Sequence, residues 1–447
     1  MDVREIRELD PLLRGYLAQF DDCFARKDTR AHLPIYIRGQ LSNLERKSVE
    51  PIALEAGIAP RTLQEFLSLL RWDQERMRVR VQEIAARQTA EAPERIGIID
   101  ETGWVKKGVK TPGVQRQYLG CVGKQENGIV TVHLGLAAGT FHCLLDGDLF
   151  LPEAWEADRA RCREAGIPDR VVYRPKTAIA LELLDRVRGN GVKLDWLTFD
   201  EGYGSKPPFL RALDDRQQQF VGEIHKDFWG WIDPPRISSR PYCCGRRGRS
   251  RKAPRWAVGG RPAQTVAELA ASHPALRDQP WQTWRIKDGE KGPIVWKAKE
   301  TLLYVKDEEG LPTRRYRLVV CQNPLTGEVK YFLSNASGRT PLEKLLPIAF
   351  SRWPIERCFE DQKGEVGLTH WEGRLWLGLQ RHLILTSVSY LFLAIARQGL
   401  AGKKSPDHGL PGPHRRQCGG TIVVAGGERG RGALPTHGPE DPIPPAS

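Results

Sequence analysis

Ile96-Gly97-Ile98-Ile99-Asp100-Glu101-Thr102-Gly103 is an apolar run that stops at an acidic pair, and Leu197-Thr198-Phe199-Asp200-Glu201-Gly202 repeats the pattern further along the chain. Each run is short, rich in β-formers and bounded by turn residues, so each reads as a buried strand. An aspartate at the carboxyl end of such a strand has a fixed backbone and an open mouth beside the sheet, where α/β folds place their chemistry. Taken alone, either aspartate also reads as a turn residue or a helix cap. The recurrence says more: on neighbouring strands, Asp100 and Asp200 would share a hard divalent cation such as Mg²⁺, which prefers oxygen ligands. Glu101 and Glu201, one residue on, point to the opposite face and are not assigned as ligands.

Around these runs lie further β-type stretches at 117–122, 129–136 and 140–145, and then an amphipathic helix at 176–188 with Ile179, Leu183, Leu184 and Val187 on one face. Strands followed by alternating helix and strand imply a mixed α/β core. Residues 1–92 read as an all-helical N-terminal domain, 93–227 as the first part of the core, 228–338 as an inserted β-rich domain, 339–400 as helices that complete the core, and 401–447 as a disordered tail holding ten Gly and eight Pro. Strand-like runs in the insertion are expected at 294–297, 302–305, 316–321 and 329–333.

The 68 Lys and Arg against 55 Asp and Glu give a formal charge of +13 and favour a polyanionic partner, nucleic acid foremost. The charge is concentrated in 236–261, which holds nine Arg or Lys and no acid among Pro and Gly. This reads as a flexible arm whose Arg246, Arg247, Arg249, Arg251 and Lys252 neutralise phosphates, or as a solvated loop. Nine cysteines without a C-x-x-C pair, two of them adjacent at 243 and 244, suit a reduced cytosolic protein. No secretory signal opens the chain. The most apolar stretch, 383–396, is short for a membrane span and reads as a buried helix.

In the N-terminal domain a helix through Ile52, Leu54 and Ala56, a turn at Gly57 and a second helix opened by Pro60 are compatible with helix-turn-helix geometry. Leu63, Phe66 and Leu67 would pack behind while Arg61 and Gln64 face a DNA groove. A plain helical hairpin satisfies the same pattern. Trp229 and Trp231 read as core or as base-stacking residues. His133, His142, His225 and His370 lack the spacing of a zinc site.

A third carboxylate lies in Arg352-Trp353-Pro354-Ile355-Glu356-Arg357-Cys358-Phe359-Glu360-Asp361-Gln362-Lys363. This segment resembles the signature of the DDE transposases of bacterial insertion sequences: tyrosine, two residues, arginine, three residues, glutamate, six residues, lysine. Arg352, Glu356 and Lys363 match that spacing, whereas Ala349 stands where the family has tyrosine. The 156 residues from Asp200 to Glu356 leave room for the β-rich insertion that the family often carries.

The resemblance implies an α/β RNase H-like catalytic core, preceded by a helical N-terminal domain and interrupted by an inserted β-rich domain. It implies that Asp100, Asp200 and Glu356 are the catalytic residues and hold two Mg²⁺ ions, Mn²⁺ substituting, about 3.5–4 Å apart. Water would cut a phosphodiester at a transposon end and the freed 3′-hydroxyl would attack target DNA. Arg352 and Lys363 would contact the DNA backbone; pairing with Glu360 or Asp361 is the simpler role for both. Double-stranded DNA as partner, a homodimer on it, no membrane, and a bacterial cytoplasmic, nucleoid-associated location are implied as well. Two other readings stand beside this one: an RNase H-like nuclease without strand transfer, and an inactive, truncated DNA-binding derivative. Aspartate-based phosphatases also place an Asp after a strand, but the basic arm and the Arg352 to Lys363 spacing have no place in them.

Overall fold

A computed structural model describes residues 3–238, 255–256, 260–289 and 292–403. Arg246, Arg247, Arg249, Arg251, Lys252 and the segment 404–447 lie outside the described residues.

Five helices open the chain: α1 (Val3–Ala18), α2 (Lys27–Leu41), α3 (Val49–Glu55), α4 (Pro60–Ser68) and α5 (Gln74–Gln88). Gly57 has φ +69°, which a glycine adopts without strain, and it turns the chain between α3 and α4. Pro60 then occupies the first turn of α4, and Leu63, Phe66 and Leu67 are buried. The Asp73 carboxylate caps α5 by accepting from the Arg76 amide at 2.8 Å.

A mixed α/β core follows: β1 (Ile96–Val105), β2 (Gln115–Leu119), β3 (Lys124–Ala138), β4 (Phe141–Leu149), α6 (Glu153–Ala157), α7 (Arg159–Glu164), α8 (Lys176–Gly189), β5 (Trp196–Phe199), α9 (Glu201–Gly204), α10 (Pro207–Asp215) and β6 (Val221–Ile224). β3 pairs antiparallel with β1 on one side and with β2 and β4 on the other. β5 runs parallel to β1, and a parallel bridge from Leu197 to Phe220 leads on to β6. From Gly128 to Ala138 every residue of β3 is buried, as in a strand covered on both faces. Asp146 of β4 meets Arg78 of α5 at 3.1 Å and Arg186 of α8 at 2.5 Å on one face.

The next segment contributes β7 (Trp229–Trp231), the two-residue pair β8 (Ile237–Ser238) and β9 (Arg255–Trp256), β10 (Gln264–Thr265), α11 (Val266–Ser272), α12 (Pro274–Arg277), β11 (Gln282–Gly289), β12 (Gly292–Lys306), β13 (Pro312–Gln322) and β14 (Val329–Ser334). The expected strands at 294–297 and 302–305 are one strand, β12, because its antiparallel pairing with β13 runs through the polar residues between them. The capping box of Thr265 and Glu268 opens α11, a helix that the β-type texture of this region concealed. Nor is the segment a sheet of its own: β14 pairs with β6, so the seven-stranded sheet takes in a strand of the core. Trp231 is buried, whereas Trp229 is 48% exposed beneath the Lys306 ammonium, 5.2 Å from its ring.

Three helices close the described chain: α13 (Leu342–Ala349), α14 (Trp353–Gly364) and α15 (Trp376–Lys403). Ala349 is buried, and Phe350 beside it packs on Trp296 and Phe332 with ring centroids 4.7 and 5.3 Å apart. α15 is longer than the expected 383–396 helix. Over Trp376–Leu400 it is long and apolar enough to cross a membrane by length and composition, yet 67% of its most apolar window is buried inside the protein. It packs along β4 and against α2, α4 and α5. Arg381 reaches from it to the carbonyls of Phe66, Leu67 and Leu70 at 3.1, 3.2 and 2.9 Å, supplying donors that the end of α4 lacks. One contiguous hydrophobic cluster therefore joins the N-terminal helices, the core sheet and α15.

Candidate active site

The parallel register of β1 and β5 pairs Ile99 with Phe199, so Asp100 and Asp200 each come directly after this pair. β1 does not end there. It continues to Val105 along β3, which places Asp100 inside the strand and not at its end, at the point where the neighbour β5 gives way to α9. Antiparallel pairing sets Asp100 opposite His133 and Glu101 opposite Val132. Glu101 accordingly lies on the other face, where the Lys176 ammonium of α8 binds it at 2.6 Å.

Asp200 is the N-cap of α9, its Oδ1 accepting from the amides of Gly202 and Tyr203 at 3.0 and 3.3 Å. A Cβ on Gly204 would stand 1.9 Å from the Glu223 carbonyl oxygen, so only glycine lets α9 rest on β6 and hold the cap in place.

α14 brings in the third carboxylate. Ile355, Cys358 and Phe359 are buried; Ile355 packs on the bare face of Gly135, and Phe359 meets the His133 ring edge-on at 5.3 Å. The helix thus lies on the Asp100 face of the sheet. Glu356, in its first turn, stays half exposed beside Arg352. The Arg352 guanidinium spans two carboxylates, Nη1 to Asp100 Oδ2 at 3.1 Å and Nη2 to Glu356 Oε1 at 2.9 Å.

Burial pushes the Asp100 carboxyl up to about 7; the Arg352 charge opposes this and the Asp200 charge adds to it. Burial works against the Arg352 guanidinium, but Asp100, Glu356, Asp200 and Glu223 together hold its pKa above the ordinary arginine value. As the side chains stand, no three Asp, Glu, His or Cys among the described residues are gathered closely enough to hold an ion.

Neither Arg352 nor Lys363 pairs with Glu360 or Asp361, the simpler role open to them in the sequence. Arg357 takes both, at 3.0 Å each, and Arg397 also binds Asp361 at 2.6 Å. Lys363 is half-buried, with its pKa lowered by burial, and among the described residues no carboxylate lies within ion-pair distance of it. Burial and then the Lys363 charge push His133 down to about 3, so His133 is neutral and bonds Thr131 Oγ1 at 2.8 Å. Arg61 and Gln64 are exposed on α4, away from the carboxylates; Arg61 pairs with Glu65 at 2.8 Å, and Gln64 borders a cavity of about 240 Å³ with Tyr36 and His370.

Two features were not read from the sequence. The Arg352 bridge was hidden because Asp100 lies 252 positions away. Tyr203, one turn after Asp200, is buried, and its hydroxyl is raised by burial and then by Glu101, Asp100 and Asp200. Its place in the Asp200-Glu201-Gly202-Tyr203 run was the signal that could have found it.

A family model of DDE superfamily endonucleases matches residues 19–293. This chain belongs to the DDE superfamily of endonucleases. The span matched within the superfamily includes Asp100 and Asp200 and ends before Glu356. The chain is also 35% identical over 199 residues to the probable transposase for insertion sequence element IS701 of Microchaete diplosiphon, a match covering 44% of this chain and 49% of that relative. The match thus spans about half the relative's length. A solved structure, the piggyBac transposase synaptic complex with hairpin DNA, is similar at a TM-score of 0.40 and 11% identity over 85% of this chain and 67% of that one, a likeness too loose to fix a fold.

Proposed function

We propose that this DDE endonuclease is a transposase that cuts double-stranded DNA at transposon ends and joins the freed 3′-hydroxyl to target DNA. The observation that carries the reading is that Asp100 and Asp200 each directly follow a paired residue, Ile99 and Phe199, of two adjacent parallel strands, with Glu356 tied to Asp100 through one guanidinium. The likeness to a probable transposase supports the reading. So does the strand sequence β4-β3-β1-β5-β6, with β3 alone antiparallel to β1 among β1's two neighbours, which is the order expected of an RNase H-like core.

Asp100, Asp200 and Glu356 offer only hard carboxylate oxygens, a donor set that fits Mg²⁺ or Mn²⁺. Burial and the nearby Asp200 charge raise the cost of ionising Asp100, a cost that a bound cation relieves. Such ions would supply activation of the attacking oxygen and stabilisation of the leaving oxygen. The chain's own contribution is positional. β1 and β5 fix the two aspartates, the α9 amides hold the Asp200 carboxylate in one orientation, and α14 anchors Glu356 through Ile355 and Phe359. Lys363, with no carboxylate partner among the described residues, is free to meet a phosphate. Arg246, Arg247, Arg249, Arg251 and Lys252 would add sequence-independent grip, Arg61 and Gln64 would read a groove, and the helical segment 1–92 would serve as the end-binding domain of a homodimer on DNA.

The test is cleavage and strand transfer on a labelled duplex carrying the element ends, in Mg²⁺ or Mn²⁺, with Glu356→Ala alongside. Metal-dependent cut and joined products that drop by about 10³-fold or more in the variant are expected. Cut products without joined ones would make the chain a nuclease, and binding without any product would make it an inactive derivative.

A further inference from the structure

Arg352 is doubly engaged. Its two terminal nitrogens lie 3.1 Å from Asp100 Oδ2 and 2.9 Å from Glu356 Oε1, so the guanidinium stands between two of the three carboxylates proposed to hold the cation. Asp100 is almost fully buried, and its other oxygen is taken by the Glu101 amide at 2.7 Å, which leaves Oδ2, the oxygen facing Arg352, as the one open to a new ligand. Asp200 likewise commits Oδ1 to the α9 amides. A buried carboxylate with further carboxylates beside it is unfavourable without a positive charge nearby, and for Asp100 the cation that the chain itself provides is Arg352. No closed group of three ligands forms among the described residues while it sits there.

We infer that Arg352 is the resident counter-ion of the metal-free site: it holds Asp100 and Glu356 toward a common point, and a divalent cation must displace it to bind. The inference rests on the proposed metal-holding role of Asp100, Asp200 and Glu356. Arg352 is in this sense a positioning residue. Its rigid fork matches two carboxylates when the ion is absent, and once displaced the same fork is a bidentate donor for a phosphate. Cation loading and DNA grip are thereby coupled through one side chain, since the guanidinium serves the carboxylates or the phosphate but not both. Arginine cannot release its charge by losing a proton, so the exchange proceeds by movement of the side chain and not by titration.

The experiment is calorimetric titration of the full chain with Mn²⁺ in the absence of DNA, comparing wild type with Arg352→Gln, Arg352→Lys and Asp100→Asn, with thermal unfolding of each variant with and without Mn²⁺. Arg352→Gln removes the competing charge and is expected to bind Mn²⁺ about tenfold more tightly, equivalent to about 1.4 kcal/mol, and to gain more thermal stabilisation from the ion than wild type does. Arg352→Lys, which restores the charge, is expected to return toward the wild-type affinity. Equal or weaker binding by a folded Arg352→Gln protein would overturn the inference, because the guanidinium would then be either irrelevant to the ion or part of its site. An Arg352→Gln protein unfolded without Mn²⁺ and folded with it would support the exchange; one unfolded in both would overturn it. If neither wild type nor Arg352→Gln binds Mn²⁺, or if binding survives Asp100→Asn, the metal-site reading itself fails, and the inference falls with it.

Discussion

Asp100 shows how much a single position depends on its surroundings. The same residue at an exposed turn would ionise in the ordinary range, but here burial and Asp200 outweigh Arg352 and lift it to about 7. In the folded protein its pKa therefore lies above that of the unfolded chain, so the stability it contributes is complete below about pH 4 and lost as pH rises through 7. In metal-free buffer the protein is expected to lose stability over that window by up to roughly 4 kcal/mol on this account. Thermal unfolding of Asp100→Asn between pH 5 and 8 checks it: the variant is expected to show a flatter profile and to overtake wild type at pH 8.

Among the elements, α15 has the most varied work, since its polar residues are spent on tying the N-terminal helices to the core. Arg381 lies 4.4 Å over the Trp72 ring and donates to the carbonyls that end α4, and burial, with no carboxylate paired to it among the described residues, lowers it to about 10. Arg381→Met leaves those carbonyls without donors and is expected to cost about 3 kcal/mol, read as a lower unfolding temperature together with faster amide exchange in α4. Next to it, His382 lies 3.0 Å from the Tyr36 hydroxyl through Nδ1 and 3.0 Å from the Leu368 carbonyl through Nε2, an arrangement satisfied by the neutral ring with its proton on Nε2. Burial holds this histidine down at about 4. The folded state thus binds fewer protons than the unfolded one; the stabilisation is complete above about pH 6.5 and drains away as pH falls toward 4. A loss of about 3 kcal/mol over that window, removed in His382→Gln, is the expected outcome in acid unfolding.

For the molecule as a whole, the formal charge of +13 is the dominant long-range feature. Binding to DNA is expected to weaken steeply with salt. Replacing Arg246, Arg247, Arg249, Arg251 and Lys252 by serine is expected to reduce the slope of log affinity against log salt by about 0.9 for each phosphate that is no longer neutralised. Fluorescence anisotropy at several salt concentrations measures this, and an unchanged slope would return these residues to the status of a solvated loop. The architecture adds a second global property. β6 belongs by hydrogen bonding to the insertion's sheet, and Phe220 just before it bridges to β5, so the two sheets are joined next to the strand that leads into Asp200.

What the amino-acid sequence by itself determined was local. Apolar runs ending in Asp100 and Asp200, the Pro60 helix start after Gly57, and the Arg352, Glu356, Lys363 spacing are short-range patterns, legible because strand alternation, helix starts and signature spacings are properties of neighbouring residues. The sequence also pointed to the family to which the chain belongs. Tertiary structure alone decided the rest. It ran β1 on past Asp100, because pairing with β3 outlasts pairing with β5. It fused two expected strands into β12 and gave the insertion's sheet a strand of the core. It also set Arg352 on Asp100 instead of on Glu360 or Asp361, since Arg357 takes both of those. Each of these outcomes is a competition between partners far apart in the chain, settled by which surface is buried and which charge is nearest once the chain has folded.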